Sequence, residues 1–324
     1  MRILLVNERL AKRTGTELAA WETGRGLVRR GYAVTLAALE LGRLAQEIAD
    51  EGIVSVAPLN SVPDRPDVIH LNQLTPHAEV VARFPGIPIL LQWHTYVSSR
   101  FRIPDDGSIS VVCGVTPTIN REIALSTGRT PDALLGNFVD LSRFTLRGKP
   151  LPDVPRNWLL VGQQRGSRRL LPTVLRAAMT RRARLRLVGP RFFKRIPNFP
   201  AYAAECDLVI ASGRCALESL AAGAGLIVGD SRGVGDFVTS ENVKRYRTGN
   251  FSFSTFDEPM TYSSLLAAVD RYDPVAGSAA SSWIRQDAGL EQGIAQFEHL
   301  YRLAIDRTQA TDRALCERRD DVAS

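Results

Sequence analysis

No stretch of this 324-residue chain is apolar for long enough to cross a bilayer, which takes about 20 consecutive residues. The opening MRILLVNERL does not read as a secretory leader, because its apolar run is short and polar residues follow at once. Cysteine is scarce: Cys113, Cys206, Cys215 and Cys316 are scattered, and none forms a CxxC pair. That pattern argues against a disulfide scaffold and predicts reduced, mostly buried thiols in a cytoplasmic protein. Four histidines without ligand spacing give no basis for a zinc site, and no metal is expected. GxSxG, HExxH, Walker A and kinase signatures are all missing. The net charge is +7, with a pI near 9.5 and arginine dominant among the basic residues. Such a charge permits an acidic partner. No helix-turn-helix, zinc-finger or RNA-recognition pattern accompanies it, so nucleic acid is not an expected partner.

What is present is a regular alternation of buried strands and helices. The length suggests two domains. RILLV (2–6) and AVTLAA (33–38) read as strands, separated by a loop over 7–15 and a helix over 16–30 that stops at Gly31. Thr14 and Glu17 have capping-box spacing. Strand, Gly-containing loop, helix and strand open a doubly wound sheet, where ligands sit at the carboxyl ends of the strands. Gly15 is therefore a candidate site residue. Further strands are predicted at 53–57, 68–71, 87–92 and 108–112, with helices over 41–51, 75–83 and 118–126. His94 lies just past the carboxyl end of the 87–92 strand, where active sites form.

Residues 147–157 (RGKPLPDVPRN) hold three prolines and read as a linker. The pattern then restarts with the strand WLLV (158–161), the basic loop GQQRGSRR (162–169), a helix over 171–181 and a strand at 185–188. Two αβ domains are thus expected, residues 1–146 and 147–305, with a cleft between the carboxyl ends of their sheets. A polar tail, 306–324, is expected to be disordered.

The densest stretch is ECDLVIASGRCALESLAAGAGLIVGD (205–230). DLVIA and LIV read as buried parallel strands, joined by a helix that begins after Ser212-Gly213 and ends at Gly223 and Gly225. Arg214 and Glu218 are four residues apart and share a helix face near the N-terminus, an end that suits a phosphate. A carboxylate beside such an anion site suits ribose hydroxyls; the alternative is a solvated Glu on an ordinary crossover. Arg165, Arg168 and Arg169 follow the first strand of the second half, where guanidinium forks would hold a diphosphate. Gly233, with Gly235, sits in a Gly-rich loop (230–236) whose amides would approach a phosphate or sugar. Arg191, Lys194 and Arg195 interleave with Phe192 and Phe193, which fits a membrane-surface or nucleic-acid patch or, more simply, charges flanking core aromatics. Cys215 has no identifiable base and reads as packing.

These segments resemble GT-B fold glycosyltransferases of the family 4 type over about residues 1–305. TGTELAAWETGRGLVRRGYAVTL (14–36) resembles the family's glycine loop and first helix. DVIHLNQL and PILLQWH resemble its next core strands, the second ending in a histidine used near the reacting sugar. GNFVDLSRF (136–144) is similar to its interdomain segment. WLLVGQQRG resembles the strand opening the nucleotide domain, and the 205–230 stretch resembles the donor-binding motif. In that motif two glutamates are separated by seven intervening residues; Glu218 matches the second, and Ile210 falls at the first. The family's Arg…Lys-Gly phosphate pair becomes Gln163…Arg165-Gly166, or Arg168 with another gap placement.

The resemblance implies an α/β fold of two facing Rossmann-like, doubly wound domains. It implies transfer of a sugar from a nucleoside-diphosphate donor to an acceptor hydroxyl, with retention and without a metal or other cofactor. Glu218, Gly15, Arg165, Arg168, Gly213, Arg214, Cys215 and Gly233 would serve the donor, and His94 the transferred sugar. The acceptor would be a saccharide, a lipid-linked molecule or a small molecule. The enzyme would be cytoplasmic, with peripheral contact at the inner membrane face as a further expectation. Two alternatives stand beside it: a catalytically degenerate nucleotide-sugar-binding protein, and a nucleotide-sugar epimerase on the same fold.

Overall fold

A computed structural model describes residues 1–94, 103–104, 106–163, 166–192 and 198–323. The first elements are β1 (Arg2–Leu10), α1 (Gly15–Arg29), β2 (Ala33–Leu41), α2 (Arg43–Glu51), β3 (Ser55–Pro58), β4 (Val68–Leu71) and α3 (His77–Arg83). Next come β5 (Ile89–Trp93), β6 (Val111–Gly114), α4 (Pro117–Thr127) and β7 (Ala133–Leu134). After these follow β8 (Asn157–Val161), α5 (Leu171–Thr180), β9 (Arg184–Val188), α6 (Phe199–Ala204), β10 (Leu208–Ala211) and α7 (Gly213–Ala221). The chain closes with β11 (Gly225–Asp230), β12 (Gly233–Phe237), α8 (Val243–Thr248), α9 (Tyr262–Asp270), α10 (Pro274–Asp287) and α11 (Leu290–Ala323).

The chain divides into two compact units, one of Met1–Leu135 with Leu290–Ser324 and one of Gly136–Gly289. This differs from the expected division at 146/147. The proline-rich stretch 147–157 lies inside the second unit, held there by Arg147 N–H donating to the Ala222 carbonyl and by Tyr272 Oη donating to Pro152. The expected tail is instead the distal part of a 34-residue helix, α11, which belongs to the first unit. Its residues Ile294, Phe297, Leu300, Tyr301 and Ala304 recur at three- and four-residue spacing and are all buried, giving α11 a continuous apolar stripe.

In the first unit the sheet order is β3-β2-β1-β4-β5-β6-β7, and the pairs are parallel. β4, β5 and β6 are buried throughout, as their unbroken apolar runs require of strands covered on both faces. α1 lies so close to α11 that a Cβ on Gly26 would stand 2.6 Å from Ile294 Cγ1. The β1 loop is shorter than the 7–15 expected. β1 runs on to Leu10, pairing Arg9 with Glu40 and Leu10 with Leu41, and the Arg9–Glu40 ion pair spans 3.0 Å.

The second unit's sheet has the order β12-β11-β10-β8-β9, parallel except for β12. The 230–236 stretch is therefore not an open glycine loop. Gly233 begins the antiparallel edge strand β12, and its missing side chain is what admits the Glu258 carbonyl, which a Cβ would approach to 2.7 Å. Gly235 leaves room for the Tyr246 hydroxyl, which accepts a hydrogen bond from the Asp236 amide at 2.6 Å.

Candidate functional site

In the first unit, the carboxyl ends of three adjacent strands carry amides and imidazoles. Parallel register puts Leu5 beside His70 and Leu71 beside Leu91, so Asn7, Asn72 and Gln92 continue as one row across β1, β4 and β5. Side chains alternate between sheet faces, so His70, Asn72, Asn7, Gln92 and His94 fall on one face. That face is the one α11 covers: the His70 ring lies 4.9 Å from the Phe297 ring, and its Nδ1 is 2.9 Å from the Tyr301 hydroxyl. Burial lowers the His70 pKa to about 3, with a further contribution from nearby His94, so the ring is neutral.

His94 Nε2 lies 3.2 Å from Asn72 Oδ1 and 3.2 Å from Gln92 Oε1. Gln92 is oriented independently, because its Nε2 donates to the Leu135 carbonyl at 3.1 Å. Gln92 therefore presents oxygen to His94, and His94 Nε2 carries a proton. Four buried polar atoms on this face have no hydrogen-bond partner among the described residues: both side-chain atoms of Asn7, Asn72 Nδ2 and His70 Nε2. Unpartnered amides in a native core mark a place for water or ligand. Sequence reasoning singled out His94 and did not single out Asn7, Asn72 or Gln92. The signal was available in RILLVN, VIHLN and ILLQWH, three apolar strands that each turn polar at the carboxyl end.

The glycine loop behaves differently from the expectation. Glu17, 5% exposed, accepts from the Ala11, Lys12 and Thr14 amides at 3.0, 3.2 and 2.9 Å and from the Thr14 hydroxyl at 2.8 Å. Those loop amides are thus turned to an internal carboxylate rather than to a ligand. Gly15 begins α1, and a Cβ there would meet nothing within 4 Å, so the space beside it is open.

In the second unit, the loops after β8, β10 and β11 converge. Gln163 Nε2 donates to Cys215 Sγ at 3.2 Å. Gly166 abuts Ser231 at the β11–β12 turn. Ser212 holds the N-cap position of α7, but its hydroxyl donates to Asp230 Oδ2 at 2.7 Å rather than capping the helix. Arg232 also binds Asp230, through its Nε at 3.0 Å and its amide at 2.9 Å. Burial alone would raise the Asp230 pKa, and these bonds from Arg232 and Ser212 bring it below the usual carboxylate value. Sequence reasoning missed Asp230, Ser212 and Arg232 as a cluster.

Arg214 Nε donates to Glu218 Oε1 at 2.7 Å, and each residue is 8% exposed. Arg214 Nη1 reaches the Phe138 carbonyl at 3.4 Å. Gly213 has φ +59, a left-handed conformation that favours glycine, and its amide donates to the Phe251 carbonyl at 2.7 Å. Desolvation pushes the Cys215 thiol up to about 12, leaving it a poor nucleophile. Arg168 is exposed and its Nε donates to the Arg191 carbonyl at 2.7 Å. Arg165 lies outside the described residues, as do Phe193, Lys194 and Arg195. Ile210, at the position of the family's first glutamate, is fully buried in β10 between Leu160 and Ile227. Its side chain belongs to the core.

No protein-family profile matches the chain, and no curated protein sequence does. Solved structures do resemble it. A glycosyltransferase from Rickettsia africae superposes with a TM-score of 0.65 at 14% identity, covering 94% of this chain and 98% of that one. A glycotransferase of kitacinnamycin gives 0.58 at 16% identity, with 92% and 98% covered. An O-GlcNAc transferase from Thermobaculum terrenum gives 0.57 at 12% identity, with 96% and 69% covered. The fold is GT-B: two Rossmann-like α/β units in one chain.

Proposed function

We propose that this chain is a glycosyltransferase that moves a sugar from a nucleoside-diphosphate donor to an acceptor hydroxyl. The observation that carries the reading is the clustering of polar groups at the carboxyl ends of both parallel sheets, on a fold shared with glycosyltransferase structures. In the second unit Glu218 would accept from ribose hydroxyls. The leaving diphosphate gains negative charge as the glycosidic bond breaks. Arg168 and the first turn of α7 would stabilise that charge, as fixed cationic and N–H groups do where charge develops. No metal is then required, and retention of configuration follows the family 4 resemblance. In the first unit the neutral row Asn7, Asn72, Gln92 and His94 would bind sugar hydroxyls, groups that amides and imidazoles recognise as both donors and acceptors. Among the described residues no helix is long and apolar enough to cross a membrane, and cytoplasmic work on soluble donors fits that.

The test is a thermal-shift screen of nucleoside diphosphates and nucleotide sugars, followed by assay of nucleoside-diphosphate release with candidate acceptors. Stabilisation by a nucleoside diphosphate that is lost in Glu218→Gln supports the reading. The absence of a shift with every nucleotide tried overturns it. One observation favours a second reading, nucleotide-sugar binding without transfer: the core position of Ile210 leaves no carboxylate at the family's sugar-contacting place. Binding with no release in the presence of any acceptor would favour that reading.

A further inference from the structure

We propose that the exposed side of α5, with the amino-end edge of β8 and β9, docks this protein on a bilayer containing anionic lipid. Residues 154–204 contain no Asp or Glu but hold 12 Arg and Lys. The rest of the chain then has 29 basic and 34 acidic residues, a net −5. The overall +7 is thus a segregated charge, concentrated in β8, α5, β9 and their connections.

The structure gives that charge a surface. Arg156, Arg182 and Arg184 are exposed and adjacent: the Arg184 amide donates to the Arg156 carbonyl at 2.6 Å, and Arg156 Nη1 reaches the Arg181 and Arg182 carbonyls at 3.0 and 3.4 Å. Two other arginines of the stretch are neutralised, Arg181 by Asp270 and Arg186 by Glu205. Arg176, Arg182 and Arg184 have no acidic partner among the described residues. This region lies at the amino ends of β8 and β9, whereas Arg168, Gln163 and Asp230 lie at carboxyl ends, so it is separate from the candidate nucleotide site.

The apolar residues choose the occupant. Leu175 and Met179 stand on the outer side of α5 at 45% and 70% exposure, one turn apart, with Arg182 three residues on. Arg176 lies over the Tyr262 ring at 4.1 Å, with Tyr262 half-buried beside it. Exposed apolar side chains on a helix that also carries Arg176, and that leads into the arginines of the following turn and β9, match the boundary between headgroups and acyl chains, where arginine stems lie along apolar surface and guanidinium groups meet phosphates. A nucleic acid would use the charge but has no use for an exposed leucine and methionine, and base stacking would need open aromatic faces. The surface does not depend on the transfer reading, and its test uses no donor.

The experiment is co-sedimentation of the full chain with vesicles of neutral phosphatidylcholine, with and without 30% phosphatidylglycerol as a roughly physiological anionic fraction. Binding is expected only with the anionic lipid, and it weakens as salt rises. Each arginine near such a surface contributes roughly fivefold, so Arg182→Gln with Arg184→Gln lowers the partition coefficient by about 25-fold. Arg182→Lys with Arg184→Lys retains it, since a lipid surface reads charge rather than a guanidinium fork. Leu175→Ser with Met179→Ser lowers vesicle binding by roughly tenfold or more while leaving heparin binding unchanged. All these side chains are on the surface, and an unchanged melting temperature confirms intact folding. Equal binding to neutral vesicles, or no loss in the glutamine pair, overturns the proposal. Full vesicle binding by the serine pair also overturns it, and assigns the patch to polyanions in solution.

Discussion

The Nε of Arg214 donates to Oε1 of Glu218 across 2.7 Å, one turn apart on α7, with both side chains almost sealed from solvent. The carboxylate expected to hold a ribose is therefore also half of a buried ion pair. Breaking such a buried pair from one side is more damaging than replacing both partners. Glu218→Ala should lower the unfolding free energy by about 3–5 kcal/mol in urea titrations. Arg214→Met combined with Glu218→Leu should recover most of that loss. A double variant as unstable as the single one would sink this account.

His70 supplies a pH dependence. Its folded pKa of about 3 lies below the ordinary histidine value, because burial disfavours the imidazolium. Between about pH 6.5 and 3 the unfolded chain binds a proton there that the folded chain does not, so stability falls as pH falls, by about 1.4 kcal/mol per pH unit. Above about 6.5 the effect vanishes. Urea midpoints followed from pH 7.5 to 4.5 should fall more steeply for the wild type than for His70→Leu. Parallel curves would exclude His70 as the source.

Asn7 separates stability from activity. It is fully buried, and neither atom of its amide has a partner among the described residues. Replacing a buried unsatisfied group by an apolar one of similar shape removes its desolvation penalty, about 1–3 kcal/mol. Asn7→Leu should therefore raise the denaturation midpoint while reducing sugar transfer, the pattern of a residue kept for function. Loss of stability would indicate instead that ordered water already satisfies the amide.

Glu17 should matter through the β1–α1 loop rather than through any ligand. It gathers three amides and one hydroxyl onto a single buried carboxylate. Glu17→Ala should destabilise the chain by about 2–4 kcal/mol, since bonds to a charged acceptor are each worth roughly 1.5–3 kcal/mol and some are replaced by water. Hydrogen exchange of the Lys12 and Thr14 amides should accelerate together. A change confined to Thr14 would argue against a shared carboxylate.

Much of the architecture was legible because buried parallel strands are short apolar runs and helix ends carry their own chemistry. RILLV, VIHL, WLLV and LVIA read directly as strands, and Thr14 with Glu17 marked the start of α1. β12 was hidden because its two glycines, Gly233 and Gly235, serve close packing against Glu258 and Tyr246, and composition cannot tell that use from an open loop. Part of the candidate site was legible by position: His94 after β5 and Glu218 on α7. The partners that define their chemistry were not, since Gln92 takes its orientation from Leu135, 43 residues on, and Ser212 turns to Asp230, 18 residues on. Such contacts depend on register between strands, which local periodicity does not encode. The same holds for α11, whose apolar stripe announces burial but not the sheet that buries it.

The return of α11 has a consequence for how the chain matures. His70 meets Tyr301 across 231 residues, and Gly26 lies against Ile294. The second unit is continuous and can close its own sheet as soon as residue 289 has emerged from the ribosome. The first unit, although made earlier, waits with one face of its sheet uncovered until the final helix arrives. Synthesis at roughly 5–20 residues per second makes that wait of the order of ten seconds or more. During that time the face of β4 and β5 that bears His70 and Gln92 is open to nascent-chain chaperones, and the unit begun first is the one completed last.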